Sequence, residues 1–148
     1  MIVLVMAGYG VAFGYSAAQA GAGAGAGAAD AVLAGWLVRH GLRYGLGGAS
    51  ANIVSVESGG RAGVAAVAVS GGRVRPLLYQ SSVAAYDPRR HDARFVVTRA
   101  PAARPGDAGE AISAAAVRAT FGPPARVYRF DGFTVDVWDV NLLTKMHA

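Results

Sequence analysis

The 148-residue chain has no cysteine, which excludes disulfide scaffolds, thiolate nucleophiles, iron–sulfur clusters and cysteine-type zinc sites. That absence leaves export open, because a domain of this length can fold without covalent staples. Charge is also scarce: 16% of residues are Asp, Glu, Lys or Arg, and lysine occurs once, at Lys145. The net charge of +5 rests on 13 arginines, placed singly or in pairs, with Arg89-Arg90 the longest run. A phosphate-binding surface gathers basic residues on one face with aromatics between them. Here Arg39, Arg43, Arg61, Arg73 and Arg75 stand at loop or strand edges, so nucleic acid is not an expected partner. Neither G-x-G-x-x-G nor G-x-x-x-x-G-K-[ST] occurs, and no G-x-S-x-G elbow accompanies His40, His91 and His147, which removes the motifs of dinucleotide, P-loop and serine-hydrolase chemistry.

Small residues are abundant, with 32 Ala and 21 Gly, and 53% of residues are of apolar types. That is enough for one hydrophobic core and too little for two comfortable ones. Residues 1–29 carry no charged side chain. As a helix, Ile2 to Ala18 would reach about 26 Å against a hydrocarbon thickness of about 30 Å. Three readings stand open: a signal peptide ending at Ala18-Gln19-Ala20, the carboxyl-terminal part of a membrane helix whose start is missing, or a buried globular helix. The first has a small-residue cleavage site but no basic residue before the apolar run. The second gives Tyr9 and Tyr15 an interfacial place. It sets the organisation adopted: residues 1–20 as a hydrophobic helix ending a transmembrane segment, 21–29 as a Gly/Ala linker, and 30–148 as the folded domain.

In the folded part, Asp30 reads as an N-cap, Val32, Leu33, Trp36 and Leu37 form one helical stripe, and Gly41 supplies a left-handed stop, which predicts a helix from Ala31 to His40. Residues 42–48 read as a buried strand running into a glycine loop. Val64–Val69 and Val74–Leu78 read as strands joined by Gly71-Gly72, with Pro76 making the second an edge. A helical turn or two before Asp87-Pro88 and a strand over Arg94–Thr98 follow. Asp107 and Glu110 have capping-box spacing ahead of a stripe of Ile112, Ala115, Ala116 and Ala119, and Gly122-Pro123 ends that helix. Residues 126–130 and 133–138 around Asp131-Gly132 predict a hairpin with a type I′ turn. The alternation implies an α/β fold, a small layered domain with a central mixed sheet and a carboxyl-terminal hairpin, preceded by the hydrophobic helix.

Residues able to carry chemistry are few. Tyr86-Asp87-Pro88-Arg89-Arg90-His91-Asp92 crowds acids, bases and a histidine, but without metal-ligand spacing, and it reads as a solvated turn. Asp136, beside Val135 and Val137, is the nearest candidate for a shifted acid, and on a hairpin it is expected to alternate outward. The strand-to-glycine-loop segment is the most ligand-like feature, because such a turn can present backbone N–H groups to an anion. Tyr44, Gly45, Gly47, Gly48, Ser50 and Asn52 are its candidate ligand-binding residues. No catalytic residue, metal site or cofactor is expected from the residues themselves.

Four stretches together resemble a known arrangement: Trp36–Gly48, Ala51–Gly60, Tyr86-Asp87-Pro88 through Phe95-Val96-Val97, and Phe121–Val135. The set is similar to the carboxyl-terminal soluble domain of actinobacterial multi-spanning membrane proteins, which themselves resemble polytopic GT-C-type glycosyltransferases using polyprenyl-phosphate sugar donors. The resemblance runs from Asp30 onward. It implies an extracytoplasmic domain at the cell membrane, with a polytopic membrane domain and a glycan or polyprenyl-phosphate sugar as partners. It also implies no catalysis by this chain alone, since the family's catalytic acid lies in an early extracytoplasmic loop that this chain lacks. Where the family pattern has an aromatic pair after the glycines, this chain has Ala49-Ser50, which puts that contact in doubt. The alternative from another class is a free-standing small-molecule or anion-binding α/β module.

Overall fold

A computed structural model describes residues 27–48, 52–99 and 112–146. The hydrophobic helix expected at 1–20 lies outside the described residues, and no described helix is long and apolar enough to cross a membrane. The fold is α/β. Its strands are β1 (Tyr44–Gly47), β2 (Gly63–Ser70), β3 (Arg73–Pro76), β4 (Phe95–Arg99), β5 (Arg126–Phe130) and β6 (Phe133–Val137). They form one six-stranded mixed sheet in the order β3-β2-β1-β4-β6-β5. The parallel strands β2, β1 and β4 make its centre, and an antiparallel hairpin partner extends it on either side. Helices α1 (27–39), α2 (Asn52–Glu57), α3 (Ala114–Phe121) and α4 (Leu143–Met146) cover it.

Alternating side chains divide the core between the two faces of the sheet. On one face Leu46, Val67 and Val96 pack with Val117 and Phe121 of α3 and Leu143 of α4. On the other, Val64, Phe95, Val97 and Val135 pack with Leu33 and Leu37 of α1 and Val54 of α2. The result is a three-layer sandwich with helices on both sides of the sheet.

The turn chemistry behaves as its residue types require. Gly41 has φ 68°, and the Leu42 N–H donates to Leu37 C=O and the Gly41 N–H to Val38 C=O, a Schellman ending for α1. Asp131 and Gly132 have φ 46° and 77°, the type I′ geometry expected of that hairpin. Two boundaries differ from expectation. Helix α1 is already formed at residue 27, so residues 27–29, expected as linker, belong to it, and Asp30 sits within the helix rather than capping it, its side chain buried against a distant arginine. Helix α3 begins at Ala114, where the Ser113 hydroxyl accepts a bond from the Ala116 N–H at 3.1 Å and acts as the cap. Asp107 and Glu110 lie outside the described residues. Of the expected stripe, Ile112 and Ala116 are buried while Ala115 and Ala119 face solvent, because Val117 and Phe121 turn inward instead.

Candidate functional site

In a sheet of parallel strands, ligands tend to bind beyond the carboxyl ends, where neighbouring crossovers leave in opposite directions. β1 is such a point. Its crossover through α2 leads to β2 on the α1 side, whereas the return to β4 passes over the α3 side through a 3-10 turn at Val83–Tyr86. The carboxyl edge also receives the first described turn of α1, because Arg99 at the end of β4 reaches Asp30 at 2.6 Å. The Asp30 side chain is only 5% exposed. Burial raises its pKa most, the Arg99 guanidinium opposes that rise, and Glu57 adds to it. Arg99 also lies 4.7 Å over the Phe133 ring, which ties the hairpin turn to the same edge.

The structure separates the six candidate ligand residues. Tyr44, Gly45 and Gly47 belong to β1, and Gly48 follows it at the carboxyl edge, half-buried. Asn52 opens α2, exposed, and its Nδ2 donates to Gln80 C=O at 3.1 Å, fastening the helix start to the 78–80 turn. Ser50 lies outside the described residues. Tyr44 stands at the other end of β1. Its hydroxyl donates to Ala85 C=O at 2.9 Å and its ring stacks on His91 at 4.2 Å. Burial and the neighbouring Tyr86 raise the Tyr44 pKa. Gly45 does not need a glycine for a loop: a Cβ there would lie 2.4, 2.4 and 2.6 Å from carbons of the Phe95 ring, so its side of the strand is filled by Phe95. Gly48 and Asn52 are therefore the two described candidates at the carboxyl edge.

The acid–base crowd at 86–92 resolves into local pairs. Asp87 accepts from the Arg89 N–H at 2.9 Å and lies 3.7 Å from Arg90, while Asp92 pairs with Arg94 at 2.7 Å. Among the described residues no three His, Asp or Glu side chains stand together as a metal site. A shallow open cavity of about 460 Å³ lies against Val83, Tyr86, Asp87 and Arg90. Asn141 was not singled out by the sequence, yet it joins this region to the carboxyl terminus with both ends of its amide. Oδ1 accepts from the Ala93 and Leu143 N–H groups at 3.1 Å each, and Nδ2 donates to His91 C=O at 2.8 Å and Pro88 C=O at 3.3 Å.

Asp136 alternates away from Val135 and Val137, as a hairpin requires, but lands half-buried on the α3 side rather than fully in solvent. Register places Thr98, Thr134, Val127 and Arg129 on that same face. Burial raises the Asp136 pKa, and Arg118 of α3 and Arg129 of β5 oppose the rise. A carboxyl whose folded pKa exceeds its unfolded value holds a proton that the unfolded chain has released, so its contribution to stability is present at low pH and lost as pH rises through the folded pKa. Asp136→Asn is expected to leave the melting temperature at pH 7 equal to or above that of the parent. It should also flatten the fall in stability between the ordinary carboxylate pKa and neutrality. Thermal melts of both proteins across that pH range check this.

Comparison with protein-family models, curated proteins and solved structures finds no match for this chain.

Proposed function

We propose that this chain is the non-catalytic extracytoplasmic domain of a GT-C-like membrane glycosyltransferase, held at the cell membrane by residues 1–20 and acting in acceptor binding or in packing on the polytopic membrane part. One observation carries the reading. The first described turn of α1 lies at the carboxyl edge of the sheet, pinned there by the Asp30–Arg99 pair, so the chain enters the domain from that edge. An apolar anchor joined at that point sets the carboxyl edge toward the bilayer, with Gly48 and Asn52 placed to meet a glycan or a polyprenyl-phosphate sugar. The well-bonded polar side chains fit a passive role: Asn141, Tyr44 and Asp30 each join separate segments of the fold.

The test is fractionation. The full chain is expected in the membrane fraction after a high-salt wash, and deletion of residues 1–20 is expected to move it to the soluble fraction with its unfolding transition kept. Full-length protein that stays soluble contradicts the reading. The switch point at β1 favours a second reading, a free-standing anion-binding module, whose mark would be saturable shifts of the Gly48 and Asn52 amides on titration with inorganic phosphate or a nucleotide sugar.

A further inference from the structure

The two edges of the sheet are finished differently. A two-residue turn makes the flanking residues a hydrogen-bonded pair, after which alternate residues direct their N–H and C=O groups outward. On β3, beyond Gly71-Gly72, the outward residues are Val74 and Pro76. The Val74 N–H is capped by the Thr120 hydroxyl of α3 at 2.8 Å, and Pro76 has no N–H. Arg73 adds a bond to Ala119 C=O at 3.3 Å, so α3 closes this edge. On β5, beyond Asp131-Gly132, the outward residues are Val127 and Arg129. No described residue bonds to their outward groups, and β5 contains no proline. An edge whose outward N–H and C=O groups meet no described partner is a template for another strand.

We propose that β5 pairs antiparallel with β5 of a second copy of this chain, joining two six-stranded sheets across a two-fold axis at Tyr128. Three symmetric registers bring outward groups together. An axis at Arg129 sets Arg129 against the partner's Arg129, two like charges directly opposed. An axis at Val127 shifts the overlap off the strand onto Ala125. The axis at Tyr128 pairs all five residues and sets Val127 against the partner's Arg129, with a reciprocal bond pair at each end of the Tyr128 contact. Arg126 then faces the partner's Phe130, a cation beside an aromatic ring rather than another cation. Tyr128 and Phe130 already pack on Trp36, at 5.0 and 4.6 Å between ring centroids, so the self-contact would continue an existing aromatic layer.

Because the chain has no cysteine, a single introduced thiol reads the register directly. In the proposed register Tyr128 opposes the partner's Tyr128 as a non-hydrogen-bonded pair, at a Cα separation of about 4.5 Å, within disulfide range. Full-length Tyr128→Cys is expected to form a covalent dimer on mild oxidation at least tenfold faster than Arg126→Cys, whose thiol faces the partner's Phe130. Adding Val127→Pro to Tyr128→Cys removes an outward N–H without touching the bonds to β6, and is expected to abolish the cross-link while the unfolding transition remains. Should the proline variant fail to fold, Val127→Lys, which opposes the partner's Arg129, is expected to give the same loss. Equal cross-linking at 126 and 128, or cross-linking that survives Val127→Pro or Val127→Lys in a folded protein, overturns the proposal.

Discussion

Replacing Gly45 with alanine is expected to cost about 3 kcal/mol of stability, at the upper end of what overpacking a filled core usually costs. The added Cβ would lie 2.4 Å from two carbons of the Phe95 ring, and Phe95 is fully buried at the start of the neighbouring parallel strand. The ring has nowhere to go without moving α1 or the β6 hairpin, which pack on the same side. Valine at 45 should leave little folded protein, since a domain of ordinary stability holds only about 5–15 kcal/mol in reserve. A decisive feature is non-additivity. Phe95→Leu alone creates a cavity and destabilises, yet in the Gly45→Ala background it makes room for the new methyl, so the double variant should be more stable than the sum of the two single losses. Denaturant unfolding of the four proteins in the cycle measures this.

The second large effect is expected at Asn141. Alanine there removes all four side-chain bonds at once and leaves the N–H of buried Ala93 without a partner, at an expected cost of about 2–4 kcal/mol. Asn141→Asp should fall between parent and alanine. It keeps the two acceptor contacts to Ala93 and Leu143 and turns both donor contacts, to Pro88 and His91, into facing oxygens. The loss should be local first: amide exchange at Ala93 and Leu143 is expected to accelerate before that of the central strands, because Asn141 is what fastens the 88–93 segment to the start of α4.

Which parts of this fold could be read from the chain follows from the range of the interactions involved. Gly41, Gly71-Gly72 and Asp131-Gly132 announce themselves because positive φ is a local demand that few residues meet, and each marks the turn expected of it. Gly45 obeys a different constraint. In sequence it resembles its loop-forming neighbours, and only the approach of Phe95, fifty positions away, shows that the missing side chain makes room for a ring. Asp30 misleads for the same reason: as the first polar residue before an apolar stripe it imitates a cap, whereas its partner Arg99 lies 69 residues on. Helix α2 carries Ile53, Val54 and Val56, three β-branched residues that favour a strand by propensity, yet it forms the crossover that two parallel strands require. Of the candidate site, the glycine-rich end of β1 was visible as a place. The edge around it, built by α1, β4 and the terminal hairpin, exists only after folding.

The proposed placement of this domain outside a membrane can be tested with one thiol. Arg89 is exposed in a turn remote from the carboxyl edge, and Arg89→Cys supplies the sole cysteine of the chain. Expressed from its own locus, the membrane-bound variant is expected to react with a membrane-impermeant maleimide as fully in intact cells as after lysis. Labelling that occurs only once the membrane is broken, or a variant found free of membranes, would contradict the account.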